Sequence, residues 1–217
     1  MIANILPRDV VAVEAFDDSV PASLFPIEQE QVARAVDKRR REYSTARRCA
    51  REALAQLGYE PAPLPTGERG APVWPPGAVG SITHCLGYRA AVVAPAARVA
   101  SVGVDAEPNE PLPDGVLAAV AGPAERHAVG DLLRRDDSVR WDRLLFCAKE
   151  SVYKAWFPLT SQWLDFHEVV VTFDPGSDRF DARLIGRTVV VRGEPRTGLP
   201  GRWMVGRGLA LTAVTMG

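Results

Sequence analysis

From Glu28 to Leu57 the chain contains neither glycine nor proline and is rich in Ala, Arg, Glu and Gln. It closes on Gly58, the residue type suited to the left-handed position that ends a helix. One long helix, or two joined ones, is expected there. Residues 58–80 are dense in proline and glycine and read as a connecting loop placed to touch a ligand. Ser81 to His84, Ala90 to Ala94 and the apolar, β-branched run Val99 to Asp105 read as strands, after which Pro108, Pro111 and Pro113 break the chain. Helical signal resumes at Asp114 to Val120 and Ala124 to Arg134, and a strong helix runs from about Val139 to Phe157, where Pro158 is expected to end it. Val169 to Phe173, Arg183 to Ile185, Thr188 to Arg192, Arg202 to Val205 and Leu209 to Thr215 suggest an antiparallel sheet, with Gly206-Arg207-Gly208 as a hairpin turn. Helices and strands thus fall into two sets about the Gly103 region. This fits an α+β protein of two similar lobes, about 1–103 and 104–217, forming a single unit.

Composition narrows the classes of function. The 217 residues, 47% of them hydrophobic, can bury a sizeable core. With 26 Lys plus Arg against 27 Asp plus Glu, no global field attracts nucleic acid or a membrane, so any anion site must be local. Cys49, Cys85 and Cys147 form no C-x-x-C pair and read as reduced thiols. The apolar start before Pro7, Arg8 and Asp9 is too short for a secretory segment, and the run Ala90 to Ala97 is too short to span a bilayer. A cytoplasmic location is expected.

Four constellations carry chemistry. Gly103-Val104-Asp105-Ala106-Glu107 is an apolar strand ending in two carboxylates; a spacing of two puts both on one side, where their oxygens converge on a hard cation such as magnesium. Alone, the pair also reads as a solvated acidic turn. In the helix that follows, Trp141, Leu144, Leu145, Ala148, Val152 and Ala155 form one apolar stripe. Glu150 and Lys154 lie on the opposite side, one turn apart, which by itself also describes a surface ion pair. Gly80-Ser81-Ile82-Thr83-His84 ends a strand with three polar side chains. Lys38-Arg39-Arg40-Arg41 with Arg47, Arg48 and Arg51 offers guanidinium forks for phosphate, or a solvated basic face.

In order and combination these residues, with Trp74-Pro75, Trp141-Asp142-Arg143 and the run Phe146-Cys147-Ala148-Lys149-Glu150-Ser151-Val152-Tyr153-Lys154-Ala155-Trp156, resemble the Sfp-type 4′-phosphopantetheinyl transferases, particularly their actinobacterial branch. The similarity runs from Arg34 to the closing Gly-Leu-Ala-Leu-Thr-Ala. It implies two lobes related by pseudo-twofold symmetry, with coenzyme A and magnesium (manganese as the alternative ion) in the cleft between them. It also implies transfer of 4′-phosphopantetheine from coenzyme A to a serine of apo acyl or peptidyl carrier proteins serving polyketide and nonribosomal peptide biosynthesis, with release of 3′,5′-ADP.

Carried over residue by residue, the resemblance makes Asp105, Glu107 and Glu150 the metal ligands and Glu150 also the acceptor of the serine proton. Lys154 would face the phosphates and neutralise the departing 3′,5′-ADP, with Lys149 assisting at the cleft; His84 would hydrogen-bond a pyrophosphate oxygen, and Ser81 and Thr83 would frame the nucleotide. Arg39 and Arg47 would hold the 3′-phosphate. Family members often place a lysine near Thr66, and Arg69 is its candidate substitute. A complete cleft within one chain favours a monomer. Two other classes use parts of the same set: a magnesium-dependent coenzyme A phosphohydrolase, and a non-catalytic coenzyme A-binding module.

Overall fold

A computed structural model describes residues 1–217. Its elements are β1 (Val11–Ala15), α1 (Pro26–Gln31), α2 (Asp37–Gln56), β2 (Ala78–Cys85), β3 (Tyr88–Pro95) and β4 (Ser101–Pro108). There follow α3 (Val116–Val120), α4 (Pro123–Arg135), α5 (Trp141–Thr160), β5 (Val169–Asp174), β6 (Arg179–Leu184), β7 (Val189–Val191), β8 (Glu194–Arg196), β9 (Gly198–Gly206) and β10 (Leu209–Met216). The strands make a three-stranded antiparallel sheet, β1-β3-β2, a five-stranded antiparallel sheet, β4-β10-β9-β6-β5, and a small β7-β8 hairpin. The fold is mixed α and β as expected, with α2 on the first sheet and α5 on the second. No helix is long and apolar enough to cross a membrane.

Three sequence expectations are refined. The run without glycine or proline is two helices, and at the break Arg40 donates to the Ala33 and Ala35 carbonyls left free there. Pro158 does not end α5, which continues to Thr160 and stops at Ser161 in the left-handed region (φ 54°). Strand β4 spans the expected boundary at 103/104 and pairs wholly within the five-stranded sheet, so the change from one sheet to the other falls in the turn before Ser101. The strands Val11–Ala15 and Glu194–Arg196 escape the sequence pattern; β1 is half-buried along its length and shows no alternation. The Gly206-Leu209 hairpin forms as expected, with Arg207 and Gly208 both at positive φ (53° and 74°).

Two features of β4 position the site. Ser101, Gly103, Asp105 and Glu107 share the face under α5, while Val102, Val104 and Ala106 enter the core between the two sheets with Ile2, Tyr88, Val92 and Leu211. Gly103 lets the helix settle on the strand: a Cβ there would stand 2.0 Å from the Ser151 carbonyl oxygen and 2.5 Å from the Ala155 nitrogen. Ser101 fixes the same contact by donating from Oγ to the Ala155 carbonyl at 2.7 Å. On its other edge β4 meets β2, and side chains replace a backbone ladder. The Val104 N–H donates to Ser81 Oγ at 3.1 Å and the Ala106 N–H to Thr83 Oγ1 at 3.0 Å.

The expected cost of Gly103→Ala is about 1–3 kcal/mol, because overpacking against backbone cannot be relieved by rotating a side chain. Urea unfolding measures it; an unchanged midpoint would show that α5 can lift from β4 without penalty.

Candidate active site

Helix α5 and strand β4 bring Asp105, Glu107, Glu150 and Lys154 to one place. Asp105 is 5% exposed. Its Oδ1 accepts from Lys154 Nζ at 2.6 Å and from Thr83 Oγ1 at 3.2 Å, while its Oδ2 is buried with no partner. Glu107 Oε2 accepts from Arg143 Nη1 at 3.0 Å. Lys154 turns to Asp105 rather than to Glu150, so the simple surface pair one turn apart is not formed. Burial raises the Glu107 and Glu150 carboxyls above the ordinary range, and the charge of Asp105 raises both further. Burial pulls the Lys154 ammonium down, but Asp105, with Glu150 beside it, more than offsets this and holds it above its usual value.

These carboxylates do not close into a ready chelate. Lys154 and Arg143 instead take one oxygen each from Asp105 and Glu107. The arrangement nevertheless fits a hard divalent cation: it is all oxygen, mutually repelling, and includes the buried, unpartnered Asp105 Oδ2. Beside it lies a cavity of about 420 Å³ between residues 68–82 of the first half and α5, lined among others by Arg69, Trp74, Ser81, Glu150, Tyr153 and Lys154. Arg69 sits at this cavity with its guanidinium 5.3 Å from the centre of the Trp163 ring.

On α2, Arg39 donates from Nη1 to His84 Nε2 at 2.5 Å, which requires the neutral imidazole. Desolvation of the ring, then the charge of Arg39, push His84 below the ordinary imidazole range in agreement with that. The structure thus joins Arg39 to His84.

Several other expected ligand residues bond within the protein. Arg47 does not accompany Arg39: it is 4% exposed, lies over the Tyr43 ring at 4.3 Å, and donates from Nε to the Leu64 carbonyl at 2.6 Å and from Nη2 to Thr66 Oγ1 at 2.9 Å. The eight-residue step along a straight helix carries it onto the loop instead. Lys149 is turned inward as well. It is buried, and its Nζ donates at 2.8 Å to Glu125 Oε2 and to the Val120 and Phe166 carbonyls, which makes it a strut within the second half. Ser81 and Thr83 stitch β2 to β4, although Ser81 also borders the cavity. The sequence reading missed Arg143, which clamps Glu107, and Tyr153, whose hydroxyl is buried without a partner in the cavity wall. Helical spacing from Glu150 could have found Tyr153, since positions three apart share a face.

Comparison with known proteins gives the same family along the whole chain. Residues 27–94 match the family model described as the 4′-phosphopantetheinyl transferase N-terminal domain, and residues 101–190 match the 4′-phosphopantetheinyl transferase superfamily. The chain is 54% identical to the 4′-phosphopantetheinyl transferase Svp of Streptomyces mobaraensis, over 100% of this chain and 89% of that one. It is 47% identical to PptT of Mycobacterium tuberculosis (100% and 98%) and 46% identical to Npt of Nocardia iowensis (99% and 99%), both likewise 4′-phosphopantetheinyl transferases.

Two outcomes follow from the geometry. Arg47→Ala leaves a buried carbonyl and hydroxyl without their donor and is expected to cost about 1–3 kcal/mol, whereas the exposed Arg39→Ala should stay within about 0.5 kcal/mol; chemical denaturation of both variants reads the difference. Glu150 holds its proton more tightly folded than unfolded, so its contribution to stability is present below about pH 4.5 and is lost as pH rises through its raised folded value. Without added metal, Glu150→Gln should therefore unfold at a higher temperature than wild type at pH 7 and lose that advantage at pH 4. An advantage of equal size at both pH values would contradict the repulsion.

Proposed function

The chain belongs to the 4′-phosphopantetheinyl transferases, and on that premise we propose that it moves the phosphopantetheine arm of coenzyme A onto a serine hydroxyl of an apo acyl or peptidyl carrier protein, releasing 3′,5′-ADP. The observation that supports this reading most is the meeting of Asp105, Glu107, Glu150 and Lys154 beside the cavity. Asp105, Glu107 and Glu150 would hold magnesium, or manganese in its place. When bound, the ion supplies positive charge to the pyrophosphate.

In the transfer, the bond from the serine Oγ to the β-phosphorus forms and the bond from that phosphorus to the departing 3′,5′-ADP oxygen breaks. Phosphoryl transfer asks a protein mainly for orientation and charge. Glu150 accepts the serine proton; burial and the neighbouring Asp105 raise its basicity toward the pH at which it works. Lys154, held on Asp105 and kept charged, donates to a phosphate oxygen of the leaving group. Arg39 and the neutral His84 bind phosphate at the other side, with Arg39 the reader of the 3′-phosphate. Arg69 stands where a cation can meet the substrate at the cavity rim in place of the lysine that Thr66 lacks. Both halves of one chain supply these residues, which supports a monomer as the working unit.

Incubation with coenzyme A, Mg²⁺ and an apo carrier tests the reading by mass spectrometry. The carrier should gain phosphopantetheine, and Glu150→Gln should slow this by about 10²–10⁴-fold, the usual worth of a positioned acid–base group. Free phosphopantetheine with an unchanged carrier would indicate a hydrolase, and no turnover a binding module. Either result overturns the assignment.

A further inference from the structure

The Trp141-Asp142-Arg143 segment has no part in the chemistry above, yet Arg143 makes more directed contacts than any other group around the carboxylates. Its Nη1 donates to Glu107 Oε2 at 3.0 Å, its Nε to the Glu110 carbonyl at 3.1 Å and its Nη2 to the Pro111 carbonyl at 2.7 Å. A guanidinium tied at all three nitrogens cannot follow Glu107 if that side chain moves, so it pins one carboxylate oxygen in place. The side chains of the pair are 16% and 22% exposed, which removes much of the solvent screening that weakens surface pairs.

Asp105 is treated in the same way. Lys154 and Thr83 occupy its Oδ1 and leave the buried Oδ2 free. Each of the two strand carboxylates therefore offers a single oxygen. That difference matters to the choice of ion: magnesium takes six ligands in near-ideal octahedral geometry, commonly single carboxylate oxygens, phosphates and waters, whereas calcium accepts six to eight oxygens and favours two from one carboxylate.

Resting on the metal site proposed above, we infer that Arg143 is a positioning residue that holds Glu107 to one-oxygen ligation and so sets the preference of the site for magnesium over calcium. Arg143→Gln frees both Glu107 oxygens. Arg143→Lys keeps the charge and the stem but cannot reach three acceptors.

Calorimetric titration of Mg²⁺ and, separately, Ca²⁺ into the intact protein saturated with coenzyme A tests this without reference to turnover. The affinity ratio should move toward calcium by about tenfold in Arg143→Gln, the lower end of what outer partners of metal ligands contribute, and part of the way in Arg143→Lys. Arg143→Lys carries the test should Arg143→Gln fail to unfold cooperatively. An unchanged ratio, or equal weakening of both ions, would make Arg143 a structural clamp only and sink this inference while leaving the metal site standing. A wild-type protein that binds neither ion would overturn the site itself, and the inference with it.

Discussion

The close approach of α5 to β4 over Gly103 is the contact on which the site depends. With no side chain at that position, Ser151 and Ala155 rest directly on the strand. This lowers Lys154 onto Asp105 and brings Glu150 near enough to Asp105 and Glu107 for their charges to raise its carboxyl. A helix held farther away by a methyl group would still bury the Leu144, Leu145, Ala148 and Val152 stripe, but the polar pairing at 2.6 Å would open. Apolar burial supplies the attraction and is tolerant of small shifts; the spacing of charged atoms is not.

The seam between the sheets is tied to the same point. Thr83 Oγ1 accepts from the Ala106 N–H and donates to Asp105 Oδ1, so one hydroxyl joins the two halves and orients a carboxylate. A hydroxyl carries one donor and two acceptor positions, which is what this double role requires. The shared core of Ile2, Tyr88, Val92, Val102, Val104 and Leu211 sits below the seam and keeps the two strands in register.

Much of this was legible in the sequence because it follows from period and spacing. The α5 stripe, the one-sided carboxylates of β4 and the Arg207-Gly208 turn are consequences of 3.6-residue and two-residue repeats and of positive φ. What the sequence hid is the partner each long cation chooses. Lys149 and Lys154 lie on one helix, yet the first is enclosed by Glu125 and two carbonyls while the second reaches Asp105. Arg39 and Arg47 likewise share α2, but one meets His84 and the other meets a loop carbonyl and the Thr66 hydroxyl. Those partners come from segments distant in the chain, so helical position alone cannot name them. Pro158 escapes its local signal for a related reason: the packing of Ala155, Trp156 and Phe157 carries the helix through the one hydrogen bond that proline cannot make.

Three carboxylates, Asp105, Glu107 and Glu150, face two cations, Lys154 and Arg143, and Asp105 Oδ2 is left buried without a donor. Such an arrangement would be relaxed by a neutral side chain, and it survives because the apolar stripe of α5 and the seam hold its members regardless. A cation that binds the folded site and not the unfolded chain stabilises the fold by mass action, so the same groups that repel one another without it become the means by which it is held. The two protein cations limit how much repulsion must be borne in the meantime. They do so by taking one oxygen each from Asp105 and Glu107, and so restrict which oxygens, and in which number, remain for a ligand.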